Sequence, residues 1–144
     1  MRKGRNNLTA LSYVFYLFLS EKSTMNIEEL RHYCLSKKGV TESFPFDDKA
    51  LVFKVLEKMF CLTGIENEIC SANLKCDPDY AIELREEYGD LIQPGFHMNK
   101  KHWNTVILEE LDDAFAKKLI DHSYDMVVKG MTKKMRSVLK NLPS

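Results

Sequence analysis

Most of the residue patterns that announce a chemistry are missing from this sequence. Its four cysteines (Cys34, Cys61, Cys70 and Cys76) contain no C-x-x-C pair, and its histidines (His32, His97, His102 and His122) do not follow zinc-finger spacing. No metal site and no disulfide framework is therefore expected. There is no G-x-x-x-x-G-K or G-x-G-x-x-G phosphate loop, no G-x-S-x-G elbow and no H-E-x-x-H helix. No nucleotide or other cofactor is implied. Net charge is lacking as well: 21 basic and 21 acidic residues cancel, so no global field draws the molecule to DNA or to a membrane. The longest apolar run, Leu8 to Leu19, is interrupted by Thr9 and Ser12 and is too short to span a bilayer as a helix. Internal repeats and low-complexity linkers are absent.

What is present suits one domain with a real core. The 144 residues are 44% hydrophobic and 29% charged, an ordinary balance for a soluble globular chain. Three of the cysteines lie in apolar or alternating runs, where a free thiol acts as a small hydrophobe; buried thiols in a reducing, cytoplasmic compartment are expected. Charge is unevenly spread. Residues 1–24 carry a net +3, residues 25–96 a net −6 and residues 97–144 a net +3. A basic C-terminal third can meet phosphate, although solvated helix faces of mixed charge explain the same distribution. Arg2, Lys3 and Arg5 before the apolar run resemble the start of a signal peptide, but the following Ser-Glu-Lys-Ser-Thr is a poor cleavage site. Residues 1–24 are read as an N-terminal extension, 25–136 as the domain and 137–144 as a C-terminal tail.

The elements follow from periodicity and caps. Asn26 and Glu29 form a capping-box pair, Ile27, Leu30 and Cys34 supply a helical apolar face, and Gly39 is placed to end the helix. Leu51–Leu56 and Met59–Thr63 read as a hairpin joined at Glu57-Lys58, a poor sequence for a type I′ turn. Ser71–Cys76 alternates, with Ala72, Leu74 and Cys76 on a buried face and Asn73 and Lys75 on an exposed one. Asp77 caps a second helix with Pro78 in its first turn, and Gly89 stops it. Trp103–Leu108 is a strand by composition, and a last helix runs from about Asp112 to Lys129. This order predicts an α+β fold, an antiparallel sheet with helices on one face in the sequence α-β-β-β-α-β-β-α.

Candidate chemistry is concentrated in one segment. Asp47-Asp48, Glu86-Glu87 and Asp112-Asp113 read as solvated turns and helix faces, and His122 as a surface ion-pair partner of Asp125 beside Lys118. His97-Met-Asn-Lys-Lys-His-Trp-Asn-Thr105 is different, because it gathers two histidines, two lysines, two asparagines and the only tryptophan. Lys100 and Lys101 suit phosphates, Asn99 and Asn104 phosphates or base edges, and Trp103 stacking on a base. Against that, Trp103 equally suits a core anchor, and the asparagines a turn. Lys75 extends the same surface, and Lys133, Lys134 and Arg136 offer further phosphate contacts.

Several blocks are also familiar in series. Gly39-Val-Thr-Glu-Ser-Phe-Pro-Phe46, Asn73-Leu-Lys-Cys-Asp-Pro78, Pro94-Gly-Phe-His-Met-Asn-Lys-Lys-His-Trp-Asn-Thr-Val106 and Asp121-His-Ser-Tyr-Asp125 resemble the MmcQ/YjbR family over about Met25 to Lys134. That resemblance implies a CyaY-like fold and a double-wing, DNA-binding role without catalytic residues, the partner being double-stranded DNA. The sequence departs from the family at Leu56-Glu57-Lys58, where glycines are usual. A protein-binding adaptor using the sheet face is the alternative. An enzyme using His97, His102 or His122 lacks a matched acid, base and nucleophile.

Overall fold

Asn26 and Glu29 start the structure as their spacing requires. In the computed structural model, which describes residues 24–143, the Asn26 side chain accepts the Glu29 N–H at 2.8 Å and Glu29 accepts the Asn26 N–H at 3.0 Å. Two otherwise orphaned donors are thereby satisfied at the head of α1, Ile27–Leu35. Leu30 and Cys34 are its buried face. The expected extension, apart from Thr24, lies outside the described residues.

The helix ends at Ser36, three residues before the expected Gly39. Gly39 instead turns the chain into the sheet with φ +74°, a conformation that disfavours side chains. A Cβ there would also lie 2.6 Å from Leu139 Cδ1.

Six strands then form one antiparallel sheet: β1 Val40–Ser43, β2 Ala50–Val55, β3 Lys58–Gly64, β4 Ala72–Lys75, β5 Ile92–Pro94 and β6 Trp103–Val106, in spatial order β1-β2-β3-β4-β6-β5. α2, Pro78–Tyr88, joins β4 to β5; α3, Asp113–Lys129, and α4, Lys133–Asn141, follow β6. The α+β class and the antiparallel sheet with helices on one face hold, and the structure adds a strand and a helix to the expected order. β1 has only four residues and depends on its pairing with β2, from Val40↔Val55 to Ser43↔Val52. α4 occupies most of the expected tail and places Leu139 in the core.

The β2–β3 turn is Leu56-Glu57 rather than Glu57-Lys58. Both residues have positive φ, 45° and 76°, as a primed two-residue turn demands, and neither is glycine or asparagine. That conformation is unfavourable for side-chain-bearing residues. Packing offsets it: Leu56 lies against the core near Gly39, close to where Leu139 and Leu142 of α4 approach that glycine. A register shift follows, with Phe53 opposite Cys61 but Lys54 opposite Met59, which leaves Phe60 as the extra residue.

Four consecutive side chains of α3 tie it to the elements around it. Asp121 accepts the Tyr33 hydroxyl at 2.6 Å and the Lys37 ammonium. His122 Nε2 accepts the Asp77 N–H at 3.1 Å. Ser123 Oγ accepts the Lys75 N–H at 2.8 Å and donates to the Phe60 carbonyl. The Tyr124 hydroxyl donates to the Lys38 carbonyl at 2.6 Å. The Asp121-His-Ser-Tyr124 block thus reads structurally, each residue bonded to a neighbouring part of the fold. His122 is not the surface ion-pair partner expected of it: it is half-buried, edge-on to Tyr80, and burial holds its pKa below the ordinary imidazole range against the upward pull of Asp77 and Asp125.

All four cysteines are free and buried within the core between sheet and helices. Burial, then nearby Glu109, pushes the Cys70 thiol up to about 11; burial, then Asp77, pushes Cys76 up to about 12. Among the described residues no helix is long and apolar enough to cross a membrane.

Candidate nucleic-acid interface

Strand pairing determines which side chains share the sheet face opposite α1–α3. Residues directly opposite one another in an antiparallel pair point to the same side. The pairs Ser43–Val52–Leu62–Asn73–Thr105–Gln93 run across all six strands as one row. Beside it lie Thr41–Lys54–Met59 and Lys75–Trp103. This face contains two lysines and a tryptophan but no carboxylate. The one acidic residue borne by the six strands, Glu42, pairs with Phe53 on the helix-covered side and is neutralised there by Arg31 at 2.6 Å. Among the described residues neither Lys54 nor Lys75 has an ion-pair partner.

The same bias continues into the β5–β6 connection. No acid occurs between Asp90 and Glu109. Gly95 lets the two strands approach, since a Cβ there would sit 2.8 Å from that of Trp103. The Gly95 N–H donates to the Trp103 carbonyl at 2.8 Å. Asn99 then folds the chain back: its side chain accepts the Lys101 N–H at 2.9 Å, and its carbonyl accepts those of His102 and Trp103 at 3.2 and 3.0 Å. The Lys100 ammonium turns inward onto the Gly95 carbonyl at 2.8 Å.

Arg85 of α2 holds this loop from below. Its Nε donates to Asn104 Oδ1 at 2.7 Å, and its Nη2 reaches the carbonyls of Lys100 and Trp103. Asn104 is 1% exposed and is therefore a structural acceptor, unable to touch phosphate or base. Asn73 was expected on an exposed face; it is buried, accepting from the Thr105 hydroxyl and donating to the Phe96 carbonyl at 3.3 Å.

The candidate residues consequently divide. Lys75 and Trp103 are register partners on one face, both half-buried, and Lys101 and His97 are exposed in the adjoining loop. Trp103 is neither a core anchor nor a fully exposed platform. Asn99 and Lys100 shape the loop, and His102 is half-buried. Lys133 and Lys134 are exposed on α4, whose Leu139 lies against Gly39 beside β1, at the sheet edge opposite β5 and the loop. Three contributors escaped the sequence reading. Lys54 is the only charge within the apolar strand Leu51–Leu56, and Arg85 the only base among the acids of its helix; both oddities were legible. Phe96, 67% exposed, gave no such signal.

Other clefts offer less. A cleft of about 440 Å³ between α1 and α3 is lined by Glu29, His32, Tyr33, Ser36, Asp113 and Lys117. Most of these groups already bond internally: Glu29 to the Asn26 N–H, Ser36 to the Tyr33 carbonyl, Tyr33 to Asp121 and Lys117 to Asp113. Among the described residues no group of three His, Cys, Asp or Glu side chains is placed to hold a metal ion.

This sandwich of an antiparallel sheet and one helical layer recurs in a defined protein class. The YjbR family profile matches residues 35–126. The chain belongs to the YjbR family. An uncharacterized Escherichia coli protein, YjbR, is 34% identical over 119 residues, covering 82% of this chain and 100% of its own length. A second uncharacterized Escherichia coli protein, YbdF, is 35% identical over 108 residues, covering 74% and 88%. The crystal structure of a Deinococcus radiodurans protein with a DUF419 domain superposes with TM-score 0.76 at 40% identity, over 83% of this chain and 91% of that one. A Pseudomonas syringae protein follows with TM-score 0.60 and 26% identity, over 72% and 99%.

Proposed function

We propose that this protein binds nucleic acid, double-stranded DNA being the first candidate, without catalysing a reaction on it. The observation that carries the reading is the acid-free strand face with Lys54, Lys75 and Trp103, continued by Lys101 and His97. Cationic groups without intervening carboxylates are what a phosphate backbone recruits. Topology adds support. The β2–β3 turn and the β5–β6 connection leave the sheet at the same end, on either side of the end of β4 where Lys75 lies. Two hairpins so placed fit the double-wing arrangement. Binding rather than catalysis is supported by the engagement of His122 Nε2 with the Asp77 N–H, which leaves that nitrogen no lone pair for a substrate proton. Four reduced thiols in the core support a reducing, cytoplasmic setting.

The test is fluorescence anisotropy of a labelled duplex at low and near-physiological salt, with wild type and the Lys75→Ala/Lys101→Ala variant. Removing two phosphate contacts lowers the salt slope by about two and weakens binding to all sequences alike. Absence of binding at low salt, or an unchanged slope in the variant, refutes the proposal. A protein partner is the second reading. The opposite end of the sheet favours it, because Phe44, Phe46, Ile65 and Ile69 are 46%, 68%, 44% and 44% exposed there. A stoichiometric partner that survives nuclease treatment in a pull-down supports that reading.

A further inference from the structure

The most exposed aromatic of the acid-free segment is also held in place by its backbone. Phe96 leaves 67% of its surface to solvent. Its backbone is nonetheless pinned on both sides: its N–H donates to Thr105 Oγ1 at 2.9 Å and its carbonyl accepts from Asn73 Nδ2 at 3.3 Å. The two anchors are bonded to each other, and both stand on the acid-free face one row from Lys75 and Trp103. The next residue, His97, is held at φ +60°, a conformation a non-glycine residue adopts at some cost. That twist brings its ring to 4.0 Å from the Phe96 ring, centroid to centroid, at 49°. An apolar ring displayed on an ordered backbone loses little conformational freedom when something stacks on it.

We infer that Phe96 and His97 form a stacking site for an unpaired nucleobase, so that the polyanion this protein prefers exposes its bases. The inference rests on the nucleic-acid reading and narrows it, replacing the duplex as first candidate by a strand with unpaired bases on the same surface. Its chemistry follows from the surroundings. Lys75 and Lys101 supply phosphate contacts along the backbone, and the absence of carboxylates from residue 91 to 108 removes repulsion. A base offers a flat apolar face that fits an exposed ring regardless of sequence, whereas in a duplex both of its faces are covered. Trp103, expected as the stacking residue, is half-buried and serves here as the wall against which Gly95 packs.

The experiment is an anisotropy competition among three labelled probes: a single strand of about 20 nucleotides, the duplex of that length, and an abasic strand with the same phosphates. Wild type is expected to bind the base-bearing strand about tenfold more tightly than the abasic one, the size of effect one stacked base gives. Phe96→Ala is expected to erase that ratio and leave abasic binding unchanged, and Phe96→Tyr to keep it. Equal affinity of wild type for base-bearing and abasic strands overturns the inference without any variant. A ratio that survives Phe96→Ala overturns it also, while nucleic-acid binding itself stands. No binding to any probe at low salt overturns both.

Discussion

Replacing Arg85 by methionine isolates the interaction that shapes the loop. Methionine keeps much of the arginine stem and removes only the guanidinium. Three bonds disappear, to Asn104 Oδ1, to the Lys100 carbonyl and to the Trp103 carbonyl. The Lys100 carbonyl is exposed and water replaces the donor there, while the part-buried Trp103 carbonyl keeps the Gly95 N–H, so their loss adds little. Asn104 is 1% exposed, and its oxygen is left without a donor. A buried acceptor so stranded costs about 1–3 kcal/mol. The expected loss is therefore about 2 kcal/mol, read from urea unfolding of wild type and variant. The location of the damage is the sharper test. The His102 and Trp103 amides, which donate to the Asn99 carbonyl, should exchange faster with deuterium in the variant, while those of β2 and β3 slow or quicken only with global stability. Changing Asn104→Leu in the same background removes the stranded acceptor and should recover part of the loss. A change under about 0.5 kcal/mol with unaltered exchange would mean that the guanidinium is a surface ornament and that the loop is held by its own turns.

Three other outcomes check the rest of the structure. Leu139→Ala should cost about 2–5 kcal/mol in urea unfolding, as truncation of a buried leucine does, whereas a residue in a loose tail would cost almost nothing. His122 has a folded pKa below its unfolded value of about 6.5, so its contribution is intact above that pH and is lost as pH falls from the unfolded value through the folded one. His122→Gln, which keeps an acceptor for the Asp77 N–H and cannot titrate, should flatten that part of the stability–pH curve; an unchanged curve rejects the assignment. The four thiols, buried and with Cys61, Cys70 and Cys76 all pushed up, should react slowly with a thiol reagent in the native protein and rapidly in urea. Fast native reaction of even one would show that the core opens there.

Much of the fold is local and was therefore legible. Asn26 with Glu29, Asp77 with Pro78, and Asp112 before α3 are caps whose partners lie two or three residues away, and each is found where the spacing puts it. The alternation of Ala72, Leu74 and Cys76 likewise reports a face that one strand decides alone. β1 and α4 were missed for the opposite reason. Val-Thr-Glu-Ser is too short to show a period, and the apolar positions Met135, Leu139 and Leu142 gain meaning only when Gly39 and Leu56 lie beneath them. The turn Leu56-Glu57 belongs with them, since its positive φ values are tolerable only while Leu56 packs against distant residues.

The site divides along the same line. The sequence by itself determined that residues 91–108 carry bases and aromatics without acids, and that Lys75 stands opposite the buried side of β4; composition and period two suffice for both. Only the tertiary structure decided which of those groups are used up. Asn104 is spent on Arg85, Asn73 on Thr105 and Phe96, Lys100 on Gly95, and His122 on Asp77. Each of these bonds but that of Lys100 links residues more than fifteen positions apart. A polar side chain is free for a ligand only if the fold has not already satisfied it, and that accounting has no counterpart in local sequence.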